Sequence, residues 1–401
     1  MLKPNTLALT TLLAMLVATG PLSTDIYLPS LPGLATDLST DEAGAQLTLS
    51  VFLAGVALGQ IFYGPVSDRF GRRPALLFAL VVYMAGSVMC SFANDIDGLI
   101  ISRFVQAIGA AGPMVLGRSI VRDLYEGTRA GQELSRMGAI MGIVPAIAPV
   151  LGAVLEILFD WRAAFITTLI FGFCTALWVY YQLPETIKNK RPEPLTVISI
   201  FASFGPMLKN RAFLINLAIL CTTYAGLFAF ISSSSFILQG VYGLNEIAFG
   251  LCYGLIVLAY ILGASIGNRL GPKRGLDRTM NLGTRLQLAG GISMIGAALI
   301  PAVGPYGIVF SQMIYMVGLG ITMPLSMAAA LIPFPDRAGA ASSLLGVAHL
   351  SFAALTGAIV GEMLNQTAWP LAIALLILGV LALLMSQISL IEVRNRNRRV
   401  S

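Results

Sequence analysis

Charge is what this sequence has least of. Asp, Glu, Lys and Arg make up 11% of its 401 residues, whereas a soluble domain carries about 25% because its surface must be hydrated. The shortage excludes a soluble protein of this size, and the low charge and high apolar content exclude disorder. Histidine occurs once, at His349, and no second ligand stands near it to hold zinc. The four cysteines, Cys90, Cys174, Cys221 and Cys252, lie inside apolar runs without CxxC spacing. They read as small hydrophobes, not as a disulfide framework or a metal site. No Gly-Lys pair occurs anywhere, so the chain has no phosphate-cradling loop of the G-x-x-x-x-G-K-[ST] type. Any work it does must draw on an energy source other than ATP bound to this chain.

What is present is apolar: hydrophobic residues form 57% of the chain and mean hydropathy is +0.83. A helix crosses a bilayer with about 20 mostly apolar residues. Twelve such stretches can be marked, at residues 6–31, 44–66, 75–94, 98–121, 134–158, 162–183, 211–239, 245–268, 279–302, 305–332, 338–361 and 368–390. None shows the two-residue alternation of a barrel strand. The expected fold class is an all-α membrane protein with twelve transmembrane helices. The first stretch lacks a small-residue cleavage site and carries Asp25 and Pro29, which argues against a removable signal peptide.

Basic residues order the topology. Lys3, Arg69, Arg72, Arg73, Arg122, Arg129, Arg136, Lys188, Lys190, Arg191, Lys209 and Arg211 fall on one side of the alternating spans. Arg269, Lys273, Arg274, Arg278, Arg285, Arg337, Arg394, Arg396, Arg398 and Arg399 follow on the same side, making 22 of the 25. The positive-inside rule then places both termini in the cytoplasm. The net charge of +6 is explained by topology and needs no nucleic-acid partner. A charged, proline-bearing segment at 184–210 separates an N-terminal six-helix bundle, 1–183, from a C-terminal one, 211–401. The halves share a trace of repetition. Gly64–Arg73 reads G-P-V-S-D-R-F-G-R-R and Ala264–Lys273 reads A-S-I-G-N-R-L-G-P-K, which aligns Arg69 with Arg269, Gly71 with Gly271 and Arg73 with Lys273.

Gly64–Arg73 fits the loop signature G-x-x-x-D-[RK]-x-G-R-[RK] of the major facilitator superfamily at each fixed position. In the fourth span Leu99, Arg103, Gln106, Gly109, Ala110 and Ala111 are similar to a second motif of that family, with Ala107 in place of a glycine. Span one ends T-D-I-Y-L-P-S-L-P and span six ends L-P-E-T, so the chain resembles the Bcr/CflA and EmrD-like drug:proton antiporters over nearly its whole length. The antiporter signature of span five is incomplete: Ala148–Ala153 retains Pro149 and Gly152, with Pro145 as an additional kink. The resemblance implies two pseudo-symmetric bundles in a bacterial inner membrane, a proton gradient as the energy source, no cofactor and a monomeric state.

Intramembrane charge costs at least about 2.5–3.5 kcal/mol per group, so its survivors point to function. Asp25 and Arg103 lie at matching depth, roughly 10 Å below the outer surface at 1.5 Å per residue, and Gln106 shares a helix face with Arg103. A carboxyl holds its proton more strongly when desolvated and less strongly beside a guanidinium. Asp25 is therefore the expected proton-coupling group, with Arg103 and Gln106 tuning it and His349 a further candidate relay; the alternative is a static pair that fixes packing. In the motif loop Gly64, Asp68, Arg69, Gly71, Arg72 and Arg73 are expected to form a conformational latch, with Asp68 capping a helix N-terminus or pairing with Arg118 or Arg122. Its glycines are expected to allow a tight turn. Aromatic, hydroxyl, amide and thioether groups suit lipophilic, often cationic ligands. Those residues are Tyr27, Phe228, Phe230, Ser234, Phe236, Gln239, Tyr253, Tyr260, Gln312, Tyr315 and Met316. The expected activity is proton-coupled efflux of lipophilic cationic or neutral drugs by rocker-switch alternating access. A narrow metabolite or siderophore exporter, or a sugar symporter, shares the fold. A channel or a membrane-embedded enzyme is the rival from another class, and no catalytic constellation favours it.

Overall fold

Proline ends the first helix. Pro29 has no N–H to give the carbonyl four residues back, and its ring collides with that carbonyl; the residue four back is Asp25. In the computed structural model, α1 accordingly spans Leu7–Asp25, a 3-10 turn covers Leu28–Ser30, and α2 resumes over Leu31–Asp37. The structure describes residues 6–125, 127–187, 204–334 and 337–400. Lys3, and Lys188, Lys190 and Arg191 of the 184–210 segment, lie outside these residues, and the side chains of the tail arginines 394–399 are likewise not described.

The chain divides into two compact units, Met1–Thr196 and Val197–Ser401. Unit 1 continues with α3 (Glu42–Phe70), α4 (Arg72–Ser91), α5 (Ile96–Leu124), α6 (Gly127–Met141), α7 (Val144–Leu158) and α8 (Arg162–Gln182). Unit 2 holds α9 (Arg211–Ser235), α10 (Glu246–Arg274), α11 (Leu276–Leu299), α12 (Gly304–Leu331), α13 (Ala338–Glu362) and α14 (Trp369–Val400). Short polar side chains start several of them by accepting an otherwise orphaned N–H. Asp41 accepts from Gly44, Asp95 from Gly98, Asn210 from Phe213 and Asn245 from Ala248.

Among the described residues, ten helices are long and apolar enough to cross a membrane. Two of the twelve expected stretches differ. The fifth, 134–158, is not one helix: α6 and α7 meet at a break over Gly142 and Ile143. Pro145 is the second residue of α7, where a missing N–H costs nothing, so it starts a helix rather than kinking one; Pro149 lies inside it. The ninth is a complete helix, α11, whose Thr279, Asn281, Thr284 and Gln287 face inward and dilute its hydropathy. Elsewhere large apolar side chains point outward, with Phe78 62% and Ile101 60% exposed. Such a surface belongs in lipid, and the chain is a multi-pass membrane protein.

Glycines let helix backbones touch, as in membrane proteins generally. Gly86 and Gly109 press α4 and α5 together against the backbones of Gln106 and Tyr83, while Gly59 admits the Ile108 carbonyl. In unit 2, Gly290 meets Tyr315, Gly318 meets Gln287, and Gly263 admits the Val317 carbonyl. These pairs put α3 and α4 in register with α10 and α11 at an offset of 204 residues (263 against 59, 290 against 86). The register of α5 with α12 is 209 (315 against 106, 318 against 109). The structural repeat is therefore not the alignment at 200 read from the letters. α10 runs straight through Gly271 and ends at Gly275, φ +83°, the counterpart of Gly71, φ +112°. The sequence match is one helical turn early, because Arg and Gly recur along the last turns of α10. By the same register Gln312 stands where Arg103 stands in unit 1.

Candidate functional site

Arg103 is fully buried in α5. Its Nη1 donates to the Ser23 carbonyl (3.1 Å) and to Gln106 Oε1 (2.6 Å). Gln106 in turn donates to the hydroxyls of Ser87 (2.8 Å) and Thr168 (3.2 Å), so helices α1, α4, α5 and α8 share one polar network. Around the guanidinium stand three rings, Phe52 at 4.2 Å, Tyr27 at 4.6 Å and Phe165 at 5.6 Å from its central carbon to each centroid. The Tyr27 hydroxyl is held by Thr48 (2.9 Å). Nε and Nη2 of Arg103 have no hydrogen-bond partner.

Asp25 is 3% exposed, at the last position of α1, and accepts from the Thr24 hydroxyl (2.9 Å). Arg103 thus meets α1 two residues before Asp25. Gly152 closes this corner from α7: its Cα face lies against the Ile26 carbonyl and the Pro29 ring. Its role is close approach to the interrupted end of α1. Phe52 and Phe165 did not stand out in the sequence, since one phenylalanine in a long apolar run carries no local signal. Only their convergence on Arg103 distinguishes them.

The motif loop makes different partners from those expected. Arg72, not Arg118 or Arg122, supplies the ion pair to Asp68 (2.6 Å), and it also donates to Ser67 (2.5 Å). Its other edge pairs with Asp123 (2.8 Å), whose carboxylate also accepts from Thr186 (3.1 Å); Arg122 is exposed. The helix N-terminus is capped by Glu185, which accepts from the backbone N–H of Arg72 (2.9 Å) and Arg73 (3.3 Å) and of Thr186 (2.9 Å) and Ile187 (3.1 Å). A carboxylate suits the positive end of α4. Arg73 lies over the Tyr180 ring and donates to its carbonyl, and Arg69 lies over Phe70. Gly64 is inside α3 with nothing within 4 Å of a built Cβ; of the two motif glycines only Gly71 turns the chain. Asp123 and Glu185 were legible only as R-D-L and L-P-E-T strings.

In unit 2, Phe230 stacks on Tyr253 (6.3 Å), which also meets Phe249 (6.2 Å). Phe228, Phe236 and Met316 are buried, and Tyr260 is partly buried. Ser234 turns its hydroxyl to the Ile231 carbonyl, and Gln239 donates to Ser235 in the π-helical turn Phe236–Val241. Tyr315 donates to the Thr222 and Thr223 carbonyls at 3.4–3.5 Å. Gln312 is fully buried with neither amide atom hydrogen-bonded. His349 binds the Leu345 carbonyl through Nδ1 (2.6 Å) and stands edge-on to Tyr224 (4.8 Å). The letters G-A-S-I-G at 263–267 fit G-x-S-x-G, but they lie within α10, and Ser265 donates to Ile261; no strand-to-helix elbow exists there. No group of three potential metal ligands occurs among the described residues.

The family model Major Facilitator Superfamily matches residues 7–358. The chain is 33% identical to an uncharacterized MFS-type transporter, YdgK, of Bacillus subtilis, covering 90% of each. It is 28% identical to a bicyclomycin resistance protein homolog of Haemophilus influenzae, again over 90% of each. To the multidrug resistance protein MdtL of Citrobacter koseri it is 32% identical, covering 84% of each. Among solved structures, a D-xylose-proton symporter shares the fold with a TM-score of 0.74 at 15% identity, covering 95% of this chain and 96% of that one. The helical architecture, the intact loop motif around Asp68 and Arg72, and these relatives agree: the chain is a transporter, not an enzyme, and belongs to the Major Facilitator Superfamily.

Proposed function

We propose that this protein exports lipophilic cationic or neutral drugs from a bacterial cell in exchange for protons, its two units alternating access to either side of the inner membrane. The reading rests above all on a carboxyl, Asp25, buried at a helix end two residues after the Ser23 carbonyl that Arg103 holds. An intramembrane carboxylate near a guanidinium is a natural proton carrier, because its protonation state follows small changes in their separation. Relatives named for bicyclomycin and multidrug resistance support drugs as the cargo. Both termini are cytoplasmic in this reading, which puts the Asp68–Arg72–Asp123 cluster at the cytoplasmic end of unit 1 as the latch of one conformation.

The decisive experiment is substrate-induced proton release from purified protein. Wild type releases protons when a transported drug binds; Asp25→Asn, which keeps the shape and removes the titration, releases none. Full proton release from Asp25→Asn would falsify the assignment.

A further inference from the structure

The aromatic enclosure around Arg103 is poorly matched to the group inside it. A guanidinium carries five N–H donors in a fixed fork. Here Nη1 is satisfied, while Nε and Nη2 are buried without an acceptor. Unmade hydrogen bonds of a buried ion are strongly unfavourable. The three rings offer something else: ring faces attract any cation by charge alone and require no donor. A cation without N–H groups would take the full benefit of Phe52, Tyr27 and Phe165 and bring no donor that lacks an acceptor.

We infer that the box formed by Tyr27, Phe52 and Phe165 is a recognition site for the headgroup of a quaternary ammonium or phosphonium ion, with Arg103 as its placeholder in the ligand-free protein. The inference rests on the proposed export of lipophilic cations and names the site for one class of them. To vacate the box Arg103 gives up its Nη1 bonds to the Ser23 carbonyl and to Gln106 Oε1. The displaced guanidinium needs a counter-charge, and the carboxylate of Asp25, two residues beyond the Ser23 carbonyl it already touches, supplies one. When Asp25 takes a proton the counter-charge vanishes, and the guanidinium returns to the rings and expels the cation. Substrate and proton thereby exclude each other without meeting. The rings come from α3, α8 and the turn after α1, all in unit 1.

The test measures binding of radiolabelled benzyltrimethylammonium to purified full-length protein, with competition by its neutral carbon isostere neopentylbenzene. Successive fluorination of the Phe52 ring keeps the shape and removes the ring-face charge. Affinity for the cation should fall stepwise, by about 2- to 30-fold in all, while the isostere changes by less than about twofold. Arg103→Met should raise affinity for the cation, because the thioether carries no charge to compete for the ring faces. Equal effects of fluorination on cation and isostere overturn the proposal, as does weaker cation binding in Arg103→Met that is properly folded. If Arg103→Met does not fold, the fluorination series decides alone. Drug-induced proton release that persists while fluorination has no effect sinks the box and leaves antiport standing. Fluorination-sensitive binding with no proton release for any drug does the reverse.

Discussion

Gly152→Ala isolates the contact that shapes the Asp25 corner. A methyl group there would overlap the Ile26 carbonyl, with the carbonyl carbon only 2.8 Å away and the Pro29 Cδ at 3.4 Å. The obstacle is backbone, so no rotamer change relieves it; α7 and the end of α1 must separate by something on the order of 1 Å. Overpacking of this kind costs about 1–3 kcal/mol, offset by up to roughly 1 kcal/mol of helix propensity gained on replacing glycine. With about 2–4 °C per kcal/mol for a unit of this size, the melting temperature in detergent should fall by several degrees. Gly138→Ala on α6 is the control, since its Cβ meets nothing within 4 Å; it should be neutral or stabilising. Proton release should also suffer in Gly152→Ala, because Ile26 is the residue after Asp25. Identical melting temperatures and proton release for the two variants would show that α7 does not hold the break in α1.

Two further outcomes follow from the loops. Glu185→Gln removes the charge that four backbone N–H groups share, two at the start of α4 and two just after Glu185 itself; the expected loss is about 1–2 kcal/mol, read as a lower melting temperature, and an unchanged value would mean that water serves those donors equally well. Gly275→Ala should destabilise by about 1–3 kcal/mol, because φ is +83° there. Gly271→Ala, inside α10 with Leu325 Cδ2 at 3.3 Å, should cost less; the reverse order in thermal unfolding would restore the register read from the letters.

Much of the fold was legible because insertion into lipid depends on the apolar content of about 20 consecutive residues, which a sequence displays directly. Breaks inside spans were less so. Pro29 and Pro145 stand in plain view, yet hydropathy runs on across Asp25–Tyr27 and Gly142–Ile143, where the hydrogen-bond ladder does not. The repeat was visible but misplaced by a turn, since arginine and glycine recur near the end of α10 and only the positive φ of Gly275 marks where the chain turns. The motif loop was recognised from its letters, while the partners of Arg72 were not: Asp123 and Glu185 lie about 51 and 113 residues away in sequence and nothing local couples them.

Scarcity of charge determined that this chain lives in a bilayer and that Asp25 and Arg103 are the ionisable groups to explain, because each buried charge must repay a desolvation cost; the long apolar runs without alternation determined that it is helical. What surrounds them was decided by tertiary structure alone. Phe52, Tyr27 and Phe165 are ordinary apolar-span residues until helix packing brings their faces to one guanidinium, and the two nitrogens left without acceptors are a property of that packing, which no spacing along the chain encodes.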